Sequence, residues 1–137
     1  MLAMLKITAI DHIVFNVRDI EVSANWYVRI LGMARYETRS DAGEGRTSVA
    51  FGHNKINLRP IDATQDSWFT GKQPCVGSQD ICFLTDMPSE RVAAHLSENA
   101  VKIELGPVVK QGARGPIHSV YVRDPDGNLI EISSYDE

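Results

Sequence analysis

The segments DPDGNLIE, residues 124–131, and DHIVFNV, residues 11–17, are together the most informative part of the sequence for the fold. The first joins a turn rich in Asp, Pro, Gly and Asn to a short strand that carries Glu131 between two isoleucines. The second opens with His12 and has the length and the β-branched and aromatic content of a strand. A similar strand, QDICFLT, occurs at residues 79–85, and a helical stretch follows each of the two. The sequence therefore contains an internal repeat.

Each repeat continues with one predicted helix. The first runs from about Ile20 to Leu31, with Asp19 as the N-cap and Gly32 as the residue that ends it. Its apolar side chains recur at helical spacing at Val22, Trp26 and Ile30, and Trp26 and Tyr27 are expected in the core or at an interface. The second helix runs from about Ser89 to Glu98, and its His95 is expected to face solvent.

Three more strands are predicted after each helix. They cover about residues 34–38, 47–51 and 55–60 in the first repeat, and about 103–107, 118–122 and 129–133 in the second. The sequence thus predicts two βαβββ modules, at about 8–61 and 78–135, joined by a linker at about 62–77. A chain of 137 residues suits one domain, 1–137, rather than two independent domains. The predicted fold class is α+β.

Period-two alternation places a polar set of side chains on the sheet face opposite the helices. Apolar residues such as Ile13, Phe15 and Ile130 are expected to pack on the helices. The opposite face receives His12, Asn57, Arg59, Asp80, Ser119, Tyr121 and Glu131, and Cys82 joins it as an expected buried thiol. A solvated antiparallel sheet would also be polar there. A mixture of imidazole, carboxylates, amide and guanidinium instead favours a functional pocket.

Composition excludes several classes of partner. The formal net charge is −4 and no Lys/Arg cluster occurs, so no nucleic acid is expected. No apolar stretch approaches the roughly 20 residues of a membrane span, so no membrane is expected either. Cys75 and Cys82 have no metal-type spacing and are interpreted as free thiols. A cytoplasmic location is the resulting expectation.

The repeat and its motifs resemble the vicinal-oxygen-chelate superfamily, which includes glyoxalase I, extradiol dioxygenases and bleomycin-resistance proteins. The resemblance rests on residues 11–17, on Trp26-Tyr27 with Leu31-Gly32-Met33, and on residues 124–131. It covers nearly the whole chain and is strongest to small lactoylglutathione-lyase-like, glyoxalase-domain proteins. It implies paired modules that form a curved, cup-shaped mixed sheet with the helices outside. It also implies a divalent metal, a small-molecule substrate and a homodimer.

In the resembling proteins, metal ligands come from the first and last strand of each half. Carried onto this chain, those positions are His12, Asn57, Asp80 and Glu131. His12, Asp80 and Glu131 are expected to bind the metal, and Glu131 is also the expected catalytic residue. Substrate contacts are expected from Asn57, Arg59, Ser119 and Tyr121.

Two departures from the family pattern narrow the chemistry. Asp80 stands where many members have His, and a carboxylate oxygen is a harder metal ligand than an imidazole nitrogen. Such a site suits Mn²⁺ or Mg²⁺, with Fe, Ni and Zn left open. Asn57 cannot act as a base, so that role falls to Glu131. The expected function is therefore a metal-dependent lyase or isomerase that acts on a small oxygen-chelating substrate. A metal-free, bleomycin-resistance-like binding protein and an extradiol-type dioxygenase are the alternatives, and the cup could form within one chain or across a dimer.

Overall fold

The computed structural model describes residues 2–135 and contains the βαβββ pattern twice. The first module comprises β1 (His12–Val17), α1 (Ile20–Leu31), β2 (Ala34–Arg39), β3 (Gly45–Phe51) and β4 (Asn54–Pro60). The second comprises β5 (Asp80–Leu84), α2 (Ser89–Glu98), β6 (Leu105–Gly112), β7 (Gly115–Arg123) and β8 (Leu129–Ser134). The predicted repeat is confirmed.

Each module forms its own four-stranded mixed sheet. The strand orders are β1-β4-β3-β2 and β5-β8-β7-β6, so equivalent strands occupy equivalent places. In each sheet the first strand of the module runs parallel to the fourth, which lies next to it: β1 pairs with β4, and β5 pairs with β8. The remaining pairs are antiparallel. Helix α1 packs on β3 and β4, and α2 packs on β7, β6 and β8. The predicted α+β class is confirmed.

Helix α1 begins and ends where its capping residues predict. The side chain of Asp19 accepts a hydrogen bond from the Val22 backbone N–H at 3.1 Å, and Gly32 adopts the left-handed conformation with φ of 69°. The predicted apolar stripe is wrong in one position, because Val22 is 51% exposed. The buried face instead consists of Ser23, Ala24, Tyr27 and Ile30.

The hairpin of β6 and β7 is longer than predicted. The sequence indicates strands at about 103–107 and 118–122, whereas the ladder extends through the pairs Val108–Ser119 and Gly112–Gly115. The register shifts between Leu105 and Val108, where Pro107 lies. Strand β6 is at the edge of its sheet, and an edge position tolerates the missing N–H of a proline.

One hydrophobic core spans both modules. Buried side chains of β1, β3, β4 and α1 join those of α2, β7 and β8 in a single cluster. The rings of Phe51 in the first module and Phe83 in the second meet edge to face, with centroids 5.1 Å apart. No helix within residues 2–135 has the length and apolar character needed to cross a membrane.

A polar contact at the turn between β7 and β8 also joins the modules. The hydroxyl of Tyr27 donates to Asp124 at 2.6 Å, and the Ser23 hydroxyl donates to Asp126 at 3.2 Å. Asp126 also accepts from the backbone N–H of Arg18 at 3.1 Å. Burial and the adjacent carboxylates raise the pKa of Tyr27 far above its usual value. Tyr27 therefore remains a donor, and we call this group of contacts the intermodule lock.

Candidate functional site

Glu131 lies at the centre of the polar face of the second sheet. Its cross-strand neighbours are Cys82 on β5 and Tyr121 on β7. Two hydroxyls reach the same carboxylate oxygen, Oε2: that of Ser119 at 2.7 Å and that of Ser133 at 3.3 Å. The two serine oxygens are themselves 2.7 Å apart, and both residues are buried. Buried hydroxyls therefore fix the orientation of a half-buried carboxylate.

Tyr121 and Asp80 complete the polar group around Glu131. Burial, a hydrogen bond with Glu131 and the nearby Asp80 charge raise the pKa of Tyr121 to about 12. The phenol is therefore protonated at neutral pH and is available as a hydrogen-bond donor. Asp80 opens β5 two residues before Cys82, which places both side chains on the face that carries Glu131.

Cys82 is exposed, so the expectation of a buried thiol is wrong. Its sulfur lies 3.2 Å from the hydroxyl oxygen of Ser133. Partial burial is the main cause that raises the pKa of the thiol; the hydrogen bond with Ser133 opposes it in part, and the carboxylates of Glu131 and Asp80 raise it further. Because the thiolate is the reactive form, this thiol is a poor nucleophile at neutral pH. Cys75 is also a free, exposed thiol.

In the first module, Asn57 and His12 occupy positions equivalent to Glu131 and Asp80. Asn57 accepts a hydrogen bond from the Ser48 hydroxyl through Oδ1 at 2.6 Å, which leaves its Nδ2 hydrogens as donors for a ligand. The Nδ1 atom of His12 lies 2.7 Å from the Asp11 carboxylate. A carboxylate only accepts, so Nδ1 carries the proton and Nε2 is the nitrogen able to bind a metal.

Arg59 is expected to contact a substrate, but its side chain is enclosed by protein. It is fully buried, and its guanidinium donates to Asn16 Oδ1 at 2.7 Å and to the Ala63 carbonyl at 2.7 Å. Its Nε also donates to the carbonyl of Trp68 at 3.2 Å. In this arrangement Arg59 holds the linker against the sheet, and a contact with substrate would require the linker to move.

The predicted residues are thus divided between the two modules. Asp80, Ser119, Tyr121 and Glu131 lie together on the second sheet, whereas His12 and Asn57 lie on the first. Within residues 2–135, no three His, Cys, Asp or Glu side chains lie close enough together to hold a metal ion. An imidazole nitrogen and two carboxylates are chemically suited to a divalent ion. A single chain, however, does not bring these three ligands together.

Sequence reasoning missed two residues that orient others and misplaced one histidine. Ser133 follows Glu131 by two positions on the same strand face, and Ser48 is paired with Asn57 across β3 and β4. Strand alternation predicts that Ser133 shares the face of Glu131, but it does not predict the hydrogen bond to the Glu131 carboxylate. His95, expected in solvent, is half-buried, and its Nε2 lies 2.8 Å from the carbonyl oxygen of Ile30. This contact links α2 to the end of α1.

Comparisons with known proteins agree with this architecture. Residues 9–132 match the model of the Glyoxalase/Bleomycin resistance protein/Dioxygenase superfamily. The chain is 39% identical over 133 residues to the glyoxalase domain-containing protein RDO1 of Mycosarcoma maydis. The alignment covers 97% of this chain and 72% of that protein.

Two solved structures are similar over nearly their full lengths. A protein from the mobile metagenome of V. pseudocholerae has a TM-score of 0.90 at 38% identity, covering 98% of this chain and 100% of that one. Virulence protein STM3117 from Salmonella typhimurium has a TM-score of 0.84 at 38% identity, covering 96% and 99%. With the paired βαβββ modules and the family match over most of its length, this chain belongs to the glyoxalase/bleomycin resistance protein/dioxygenase superfamily.

Proposed function

We propose that the protein is a divalent-metal-dependent enzyme of the lyase or isomerase type, acting on a small substrate that presents two adjacent oxygens. The observation that carries this proposal is the environment of Glu131. Its carboxylate is oriented by the Ser119 and Ser133 hydroxyls, lies beside the protonated phenol of Tyr121, and faces the side of the sheet opposite the core. A positioned carboxylate next to a phenol donor suits proton transfer at a carbon adjacent to a carbonyl.

The ligands that we propose for the metal are His12, Asp80 and Glu131. Because one chain does not gather them, the proposal includes a second copy, so that the first module of one copy faces the second module of the other. His12 would contribute Nε2, and the other two residues would contribute carboxylate oxygens. Such a nitrogen- and oxygen-containing set favours Mn²⁺ or Mg²⁺, and Fe²⁺, Ni²⁺ and Zn²⁺ are tested beside them.

The side chains then have separate tasks. A bound divalent ion would supply Lewis-acid polarisation of the substrate oxygens. Glu131 accepts the proton, while Ser119 and Ser133 keep its carboxylate from rotating. Tyr121 would turn its phenol proton from Glu131 to the oxygen on which negative charge develops, and Asn57 donates through Nδ2 to a further substrate oxygen. The free thiols Cys75 and Cys82 are compatible with a reducing, cytoplasmic setting.

Elemental analysis of protein purified without chelator tests the proposal. We expect near-stoichiometric metal in the wild type and its loss in both His12→Gln and Glu131→Gln. Glu98→Gln, an exposed carboxylate at the end of α2, is the matched control and should keep the metal. A wild-type protein that binds no metal after incubation with Mn²⁺, Mg²⁺, Fe²⁺, Ni²⁺ or Zn²⁺ would contradict the proposal.

A metal-free binding protein is the second candidate. It is favoured by a cavity of about 390 Å³ at the junction of the modules, whose lining includes the apolar side chains Ile13, Phe51, Ile81 and Phe83. Binding of apolar small molecules in chelator-containing buffer, together with absence of metal, would support it. An extradiol dioxygenase is disfavoured, because its iron site is expected to need two histidines and the predicted ligand set has one.

A further inference from the structure

Two arginines lie side by side at one end of the first sheet, and their hydrogen bonding differs. Arg46 on β3 and Arg59 on β4 come next to the cross-strand pair Thr47–Leu58, so they are neighbours on adjacent strands. All three nitrogens of Arg59 donate to acceptors of the protein. The Nε atom of Arg46 is buried, yet it has no acceptor among residues 2–135. A buried guanidinium N–H without an acceptor is unfavourable, so Arg46 has a hydrogen bond left to make.

An indole ring, and not a carboxylate, holds the guanidinium of Arg46. Its Cζ atom lies 4.1 Å from the centroid of the Trp68 ring, which is a cation–π contact. None of the ion pairs within residues 2–135 involves Arg46. Trp68 is buried, and its carbonyl accepts from Arg59 Nε at 3.2 Å. Arg59 therefore positions the residue that stacks on Arg46, and stacking fixes the plane of the guanidinium while its N–H groups point outward in that plane.

Arg46 borders a cleft of about 420 Å³ between the linker and the turn that joins β2 to β3. The lining of this cleft includes the Ser67 side chain and the ring of Phe69, which is 88% exposed. Small-molecule sites combine apolar surface with a few polar groups that fix the orientation of the ligand. A cleft with an unpaired guanidinium and an exposed aromatic ring suits a molecule that is anionic at one end and apolar at the other.

We propose that Arg46 binds the carboxylate of a small organic acid, and that Phe69 contacts the apolar part of the same molecule. The planar fork of a guanidinium matches the two oxygens of a carboxylate, and such charge-assisted bonds are strong and directional. Trp68 keeps the fork in one orientation from below. Ser67, on the linker side of the cleft, is a further hydroxyl donor for the bound acid.

Two aspartates favour a carboxylate over other charged ligands. Asp41 and Asp66 line the cleft together with Arg39 and Arg46, so the formal charges around it cancel. A phosphate dianion would meet two negative groups with its double charge, whereas a carboxylate carries a single charge. A cation would in turn meet the guanidinium of Arg46, which has no carboxylate partner to neutralise it.

The guanidinium of Arg46 lies on the same sheet face as the proposed substrate contact Asn57. Ser48 follows Arg46 by two positions on β3, and Ser48 is paired with Asn57 and donates to it at 2.6 Å. An acid held by Arg46 can therefore extend along this face toward Asn57. That such acids are the substrates of the enzyme rests on the proposed function, whereas their binding to Arg46 requires no metal.

The fluorescence of Trp68 tests the proposal, because this indole is stacked on Arg46 and the chain has only two tryptophans. In a Trp26→Phe background, we expect benzoate and phenylacetate to change the emission of Trp68 in a saturable way in EDTA-containing buffer. The neutral benzamide and phenylacetamide should not do so, and inorganic phosphate should bind more weakly than either acid. An amide that binds as tightly as its acid, tighter binding of phosphate, or no response to either acid would overturn the proposal.

Substitution of Arg46 separates its charge from its shape. Arg46→Gln should weaken phenylacetate binding by roughly tenfold or more, since it removes a charge-assisted hydrogen bond. Arg46→Lys keeps the charge but lacks the planar fork, so an intermediate loss is expected, and this variant decides the outcome if Arg46→Gln does not fold. Arg29→Gln, which changes an exposed arginine on α1, is the matched control and should bind as the parent does. Undiminished affinity in the Arg46 variants would contradict the proposal.

The Nε–H proton resonance of Arg46 provides a second readout, measured by NMR in the wild-type protein. We expect it to move downfield on addition of phenylacetate and to stay in place with phenylacetamide, because only the carboxylate supplies the missing acceptor. A resonance that phenylacetate does not move would overturn the proposal. Acid binding in a protein that takes up no metal would contradict the proposed function alone, whereas metal uptake without acid binding would contradict the carboxylate site alone.

Discussion

The two modules share their strand order but use equivalent positions differently. Asn57 and Glu131 each pair with the third residue of the first strand of their module, and Arg59 and Ser133 each follow two positions later. In the first module Arg59 binds the linker, whereas in the second Ser133 supports the Glu131 carboxylate. The residue two positions along the strand therefore has a different role in each module. Arg59 attaches the linker to the first sheet, and Ser133 orients the carboxylate of the second.

The largest expected effect comes from replacing Arg59 with leucine. The substitution leaves Asn16 and the carbonyls of Ala63 and Trp68 without their buried donor. We expect the free energy of unfolding to fall by about 3 kcal/mol, since each unsatisfied buried group costs about 1–3 kcal/mol. Chemical denaturation measures this loss. Ser133→Ala, at the equivalent position, is the comparison and should cost about 1 kcal/mol; equal losses would contradict the difference between the modules.

Tyr27→Phe should weaken the contact between the modules. It removes the 2.6 Å hydrogen bond to Asp124, and bonds to charged groups contribute about 1.5–3 kcal/mol. We therefore expect a loss of about 2 kcal/mol at neutral pH, measured by thermal or chemical unfolding. An unchanged stability would show that the intermodule lock does not hold the modules together.

Alkaline pH provides a second way to examine the same contact. The pKa of Tyr27 in the folded protein is raised above its ordinary value of 10.0, so the folded state keeps a proton that the unfolded state loses. The stabilisation is complete below pH 10 and declines above it, by up to about 1.4 kcal/mol per pH unit. Unfolding measured across this range should show a shallower decline in Tyr27→Phe. Identical slopes would mean that other groups determine the alkaline loss.

Ser119→Ala should have a modest effect on stability and a larger one on the site. It removes the 2.7 Å hydrogen bond to Glu131, and a loss of about 1 kcal/mol is expected. If Glu131 binds a metal, loss of this orienting hydroxyl should weaken the metal affinity by roughly 10- to 100-fold. Metal titration of the wild type and the variant measures this ratio. An unchanged affinity would place Ser119 outside the metal site.

The smallest effect is expected for Ser48→Ala, the corresponding hydroxyl of the first module. Ser48 donates to the neutral amide of Asn57 rather than to a carboxylate, so we expect the free energy of unfolding to fall by only about 0.5–1 kcal/mol. Metal content should be unchanged, because Asn57 is a proposed substrate contact and not a ligand. A larger loss of metal here than in Ser119→Ala would reverse the assignment of roles between the modules.

Local signals explain which elements could be predicted. The ends of α1 follow from Asp19 and Gly32, and the polar face of β8 follows from the alternation around Glu131. These features depend on neighbouring residues, so they can be recognised in a single sequence. The sequence predicts β6 too short, because Pro107 and Gly112 resemble strand breakers and the tolerance of an edge strand is not visible in the sequence.

The features that sequence reasoning missed depend on distant contacts. Ser23 faces the core because Asp126 accepts its proton there, and the hydroxyl of the expected core residue Tyr27 finds its acceptor in Asp124, about a hundred residues along the chain. Arg59 is buried because linker carbonyls accept its protons, and a sequence pattern shows charge but not those carbonyls. Whether His12 meets Asp80 and Glu131 likewise depends on how the two sheets are placed relative to each other. Alternation along a strand predicts the face of a side chain but not the placement of sheets.

The intermodule lock also limits how this protein could be rebuilt from its halves. Asp124 and Asp126 are buried carboxylates whose donors include Tyr27, Ser23 and Arg18 of the other half, and the first module has the turn Gly52-His53-Asn54 at the matching place. A chain made of two second halves would therefore bury acidic groups without their donors, and one made of two first halves would lack the acceptors. The repeat is symmetrical in its backbone but behaves as a matched pair, in which neither half can substitute for the other.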